Sequence, residues 1–136
     1  MKKTLVIIIS VVCVFIWAVL PCYAVSLTNI VPRWNNVGGV NTSLVFYENV
    51  GEAVAYVTKG ESVTTLEGTI TIYKFQNNEW IYEDSISKST TRATLNMAME
   101  FEGTSGLEYR MDFVVIAYSG TTVIEEITDV EYATCP

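Results

Sequence analysis

From Val25 onward, apolar and polar residues change places at every second position, the mark of strands that bury one face. Leu66, Gly68, Ile70 and Ile72 alternate with Glu67, Thr69, Thr71 and Tyr73. Leu95, Met97, Met99 and Phe101 alternate with Asn96, Ala98 and Glu100, and Tyr109, Met111, Phe113 and Val115 with Arg110, Asp112 and Val114. A smaller apolar set, Ala53, Ala55 and Val57, stands opposite Val54, Tyr56 and Thr58. No segment of this region sustains a 3.6-residue period, which predicts an all-β domain. Gly- and Asn-rich punctuation separates the runs, as at 36–39, 49–51, 59–60, 76–78, 103–106 and 119–120. Both residues accept the left-handed backbone of tight turns. The pattern predicts about eight strands, over residues 26–33, 40–47, 52–59, 65–76, 79–87, 92–102, 107–118 and 121–130.

Eight short strands at this spacing predict an antiparallel two-sheet sandwich of immunoglobulin-like type, with a closed barrel as the alternative. One local pattern favours the sandwich. Gly106-Leu107-Glu108-Tyr109-Arg110-Met111 resembles the tyrosine corner, in which a Tyr near the start of a late strand bonds back to upstream backbone. Met111 then takes the core position that a cysteine holds in antibody domains. Trp80, just after a turn, is expected to cover one edge of the core.

The N-terminal pattern is different in kind. Lys2 and Lys3 precede an unbroken apolar run from Leu5 to Leu20, followed by Pro21-Cys22-Tyr23-Ala24. This reads as a secretory signal peptide over residues 1–24, cut after Ala24. The run is shorter than the roughly 20 residues that span a bilayer core, so a retained anchor is the weaker reading. Pro21 argues against lipid attachment at Cys22. A single domain over residues 25–136 remains, secreted or held at the cell surface, with no stable membrane insertion after processing.

Charge and cysteine usage narrow the function. The chain has 15 acidic residues, all after position 24, and eight basic ones, of which Lys2 and Lys3 leave with the leader. Nucleic acid is excluded as a partner, because no basic stripe exists to displace phosphate counterions. Cys13 and Cys22 also leave, so Cys135 stands alone near the C-terminus. It is expected to be a free thiol on a mobile tail, with pairing to a second chain as the alternative.

Pro32-Arg33-Trp34, Gly51-Glu52-Ala53, Thr69-Ile70-Thr71-Ile72-Tyr73-Lys74, Asn78-Glu79-Trp80 and Glu108-Tyr109-Arg110-Met111 occur in this order behind the leader. In this the chain resembles small exported proteins of Gram-positive bacteria, especially clostridia, a family of unknown function. The resemblance spans Pro32 to Ile127. It implies export and a sandwich of about a hundred residues, and it implies no catalytic residue.

The chain contains no histidine, which removes imidazole-dependent nucleophiles, relays and HExxH metal sites. No phosphate-cradling loop or dinucleotide fingerprint is present, and no cofactor or metal is expected. Carboxylates remain: Glu83-Asp84, Glu100 with Glu102, Glu108 with Asp112, and Glu125-Glu126. They are expected to form a solvated charged face that keeps sheet edges apart. A small carboxylate-dependent glycoside hydrolase is the alternative. The aromatic pattern is more informative. Strand alternation turns Tyr47, Tyr56, Tyr73 and Phe75 outward, and neighbouring strands would join them into a stripe. Exposed rings offer apolar area with few rotatable bonds. The expectation is a non-enzymatic module that binds an extracellular protein or polysaccharide through this surface. A homo-oligomer joined through sheet edges or Cys135 is a third possibility.

Overall fold

A computed structural model describes residues 34–136; the expected leader and the first expected strand, 26–33, lie outside the described residues. The described residues form seven strands: β1 (Val37–Tyr47), β2 (Val50–Lys59), β3 (Thr65–Gln76), β4 (Glu79–Thr90), β5 (Thr94–Glu102), β6 (Glu108–Ser119) and β7 (Thr122–Thr134). They form two sheets, β1-β2-β5 and β4-β3-β6-β7, antiparallel throughout. The chain changes sheet between β2 and β3, between β4 and β5, and again between β5 and β6. This is an immunoglobulin-like sandwich. It departs from the constant-type arrangement in its fourth strand, which pairs with the third rather than joining the sheet of the fifth.

The alternation seen in the sequence is the alternation of burial. Val57, Leu66, Ile70, Ile72, Leu95, Met111 and Phe113 are fully buried between the sheets, and no polar or charged residue is buried among the described residues. Gly68 also points inward, in the middle of β3. A Cβ there would lie 2.6 Å from Leu95 Cδ2 and 2.8 Å from Met97 Sδ. Two longer side chains from the facing sheet have filled the space, so Gly68 is small by packing and not by conformation. Gly68→Ala is expected to cost about 1–2 kcal/mol in a urea titration, because both side-chain ends must move off their rotamers. An unchanged midpoint would show that the core has slack there.

The tyrosine corner is present. Tyr109 is buried, and its hydroxyl accepts the Thr104 N–H at 2.9 Å. Its ring packs on Phe46 and Phe101, with centroids 5.1 and 5.4 Å away. The short loop between β5 and β6 is thereby held to the core.

Strand ends depart from expectation where glycine or the C-terminus is involved. Gly38-Gly39, expected in a turn, lies inside β1 at a register shift against β2, since a bulge accepts glycine readily. The tail does not fray. β7 stays paired with β6 as far as Thr134, and Cys135 exchanges backbone hydrogen bonds with Gly106 and Leu107. Its Sγ is buried and donates weakly to the Glu48 carbonyl at 3.7 Å. Cys135 is therefore a packed thiol and not a mobile one. Alkylation of the Cys135 peptide is expected to need denaturant; rapid labelling in native buffer would contradict the packing.

A candidate binding face on the four-stranded sheet

The outer face of β4-β3-β6-β7 is built by a conflict between a turn and the core. Asn77 and Asn78 both have positive φ, 56° and 65°. That makes the β3–β4 connection a two-residue hairpin of the twisted kind such loops favour. The turn sets the pairs Gln76↔Glu79, Phe75↔Trp80 and Tyr73↔Tyr82. Further along, Ile86 packs against the core from its place opposite Ile70. These two demands differ by one residue, and a one-residue slip reverses every side chain. The register shift between Ile72 and Tyr73 reconciles them, with Ile72 opposite Asp84 and Tyr73 opposite Tyr82, so Glu83 is the extra residue. A bulge re-aims the side chains next to it. Trp80 and Tyr82, inward by simple alternation from Ile86, turn outward.

Glu83 itself closes the bulge with a 2.8 Å ion pair to Lys74 Nζ. The hydrogen bond to Glu83 raises the Lys74 ammonium above its ordinary pKa.

Beyond the bulge, one register row crosses all four strands: Tyr82 on β4, Tyr73 on β3, Arg110 on β6 and Tyr132 on β7. Phe75 and Trp80 form the next row on the same face. The Arg110 guanidinium lies over two rings, 4.6 Å from the Tyr73 centroid and 5.0 Å from that of Trp80. Trp80 also meets Phe75 at 5.1 Å and Tyr132 at 5.8 Å, and Tyr73 meets Tyr82 edge-on at 6.3 Å. Asp112, two residues from Arg110 and so on the same face, anchors the cation. Nη2 donates to Oδ2 at 3.0 Å. Nε approaches Oδ1 at 2.8 Å, but its N–H is not aimed at that oxygen, so one directed hydrogen bond and the charge attraction hold the pair. Each cation–π contact stabilises by roughly 0.5–2 kcal/mol. The result is a platform held together by its own contacts, with Tyr82 and Tyr132 at its two ends 58% and 56% exposed.

The four residues singled out in the sequence all avoid the core, but the structure does not bring them together. Tyr73 and Phe75 belong to the platform. Tyr47 and Tyr56 lie on the outer face of β1-β2-β5, on the opposite side of the sandwich. They are also apart from each other: Tyr56 pairs with Asn41, six residues along β1 from Tyr47, a distance of about 20 Å. Side-chain direction was readable from alternation; strand neighbourhood was not.

Trp80 is the second correction, since it joins the outer platform instead of covering the core edge. Tyr82, Arg110 and Tyr132 were not singled out. Arg110 had a signal, being the polar residue between the inward Tyr109 and Met111. Tyr132 lies beyond the expected end of the last strand.

The paired carboxylates are dispersed among separate tasks. Glu125 accepts three backbone N–H groups, from Asn35, Asn36 and Val37, at 3.0, 2.7 and 3.1 Å, tying the start of β1 to β7. Asp84 accepts the Ser85 N–H at 2.8 Å, and Asp112 holds Arg110. Glu100, Glu102, Glu108 and Glu126 are exposed on outer strand positions.

No family model and no curated protein matches the chain in sequence. Among solved structures, it is similar to the sporulation control protein Spo0M from Bacillus subtilis, at 10% identity and a TM-score of 0.46, over 74% of this chain and 49% of that one. It is similar also to OgpA from Akkermansia muciniphila, at 10% identity and a TM-score of 0.43, over 74% of this chain and 30% of that one. A protein from Archaeoglobus fulgidus matches at 15% identity and a TM-score of 0.38, over 72% of this chain and 96% of that one. The chain thus spans about half of the first of these proteins and less than a third of the second. At such values these are distant likenesses, and none carries a function across.

Proposed function

We propose that this protein is an exported, non-enzymatic binding module that engages an extracellular protein or polysaccharide through the outer face of β4-β3-β6-β7. The observation that carries this reading is the bulge at Glu83, which turns Trp80 and Tyr82 to the outer face beside Arg110 and Tyr132, where Tyr82 and Tyr132 are the most open to solvent. Large rings held in water oppose the hydrophobic effect unless a partner covers them. These rings are also held still by their contacts with one another, which lowers the ordering cost of binding. Export is supported by Lys2-Lys3, the apolar run to Leu20 and Ala24, together with the resemblance to small exported proteins of Gram-positive bacteria.

The test compares the two faces. Purified protein is passed over immobilised cell-envelope protein and polysaccharide fractions. The double variant Trp80→Ala, Tyr82→Ser is expected to lose retention by about 30-fold, the effect of removing ~2 kcal/mol of anchor contacts. Tyr47→Ser with Tyr56→Ser is expected to leave retention unchanged. Retention that follows the Tyr47 and Tyr56 pair, or neither pair, rejects this face.

A further inference from the structure

We propose that the ligand of this face is a neutral polysaccharide, bound as an extended chain lying across the strands from Tyr82 to Tyr132. The inference rests on the reading of the face as a binding surface and adds the chemistry of its occupant.

Three features select that chemistry. The first is charge. The face presents one cation, Arg110, and it is committed: Tyr73 and Trp80 flank the guanidinium, and Asp112 neutralises it. Its other charged groups are carboxylates, Glu67, Glu108, Asp112 and Glu126, on outward register positions. Nothing here recognises an acidic polymer, and the acidic chain repels one.

The second is the floor beside the platform. On β3 and β4 it consists of hydroxyls in facing pairs, Thr69 with Ser87 at 2.8 Å and Thr71 with Ser85 at 3.3 Å. Ser85 Oγ spends its proton on the Ile70 carbonyl at 2.9 Å, so Thr71 and Ser85 offer acceptors, while the Thr69–Ser87 pair and the phenols of Tyr73, Tyr82 and Tyr132 can both donate and accept hydrogen bonds. A hydroxyl-rich neutral ligand matches that capacity without bringing a charge.

The third is spacing. The rings of this face most open to solvent, Tyr82 and Tyr132, stand on its two edge strands. Their backbones are three strand intervals apart, about 14 Å at the usual separation of paired strands. Tyr73 and Trp80 are each partly covered by Arg110, so a ligand stacks best at the two ends. A single sugar reaches one end only; a short chain reaches both.

Affinity electrophoresis of the purified protein in gels containing hydroxyethylcellulose, galactomannan, xylan or laminarin tests this. At least one neutral polymer is expected to retard the protein, equally at low and high salt. Tyr82→Ala and Tyr132→Ala are each expected to weaken retardation by about tenfold, with unchanged circular dichroism. Oligosaccharides cut from the retarding polymer should compete only once long enough to bridge both tyrosines. Failure of every neutral polymer overturns the inference, as does retardation by heparin or polygalacturonate alone. Retardation by polylysine that fades with salt overturns it too, because a cationic partner would then be using the carboxylates. Equal competition by the monosaccharide would refute the extended mode. If neutral polymers fail while the Trp80 and Tyr82 double variant still loses envelope protein, the binding face stands and the glycan assignment falls.

Discussion

Replacing Phe113 with alanine is expected to destabilise the domain by about 3–5 kcal/mol, the range for truncating a buried aromatic ring. Phe113 is fully buried and stands opposite Ile70 of β3 and Asp129 of β7, at the middle of the four-stranded sheet. Its ring edge also lies 3.3 Å from where a Gly68 Cβ would be. A side chain in that position cannot be replaced by collapse, because two hydrogen-bonded neighbours fix the backbone on either side. A small domain holds only about 5–15 kcal/mol in total, so the loss is a large share. Phe113→Leu, which keeps most of the volume, is expected to cost under about 1.5 kcal/mol. Urea titrations followed by circular dichroism measure both. A drop below ~1 kcal/mol for the alanine variant would mean that the core is looser than its packing indicates.

Deleting Glu83 is expected to have the second large effect, and to reach function as well as stability. Without the extra residue, the turn at Asn77-Asn78 and the core residue Ile86 cannot both keep their register. If Ile86 prevails, residues 79–82 reverse, and Trp80 and Tyr82 leave the outer face. The contacts of Trp80 with Arg110, Phe75 and Tyr132 and the Lys74–Glu83 pair are then lost. Together the aromatic and cation–π contacts amount to roughly 2–4 kcal/mol. Glu83→Ala keeps the residue count and loses only a surface ion pair, for about 0–1 kcal/mol. The contrast is the test. Near-ultraviolet circular dichroism reports the tryptophan environment, and the deletion should change it while Glu83→Ala should not. Identical spectra and stabilities for the two variants would show that the bulge does not aim the rings.

Much of the domain was readable before any fold was known, because local physics settles it. A strand turns its side chains to alternate faces, so Leu66, Ile70, Ile72, Leu95, Met97, Met111 and Phe113 announced themselves as core. Asn77-Asn78 announced a turn through its tolerance of positive φ. Tyr109 announced the corner through its place ahead of Met111. None of these depends on which strand lies next to which.

Everything that makes the candidate face does depend on it. Tyr47, Tyr56, Tyr73 and Phe75 share an outward direction, yet the order β1-β2-β5 and β4-β3-β6-β7 sends two to one side of the sandwich and two to the other. Tyr82, Tyr73, Arg110 and Tyr132, up to 59 positions apart along the chain, become one row only through three pairings. Cys135 looks like a loose end until Gly106 and Leu107 are found to bind its backbone. The sequence by itself determined the hidden side chains of the regularly alternating strands and the turn at Asn77-Asn78, since both come from the geometry of a few consecutive residues. Only the tertiary structure decided which exposed side chains would meet, because that rests on pairings between distant segments and on a one-residue mismatch between a turn and the core.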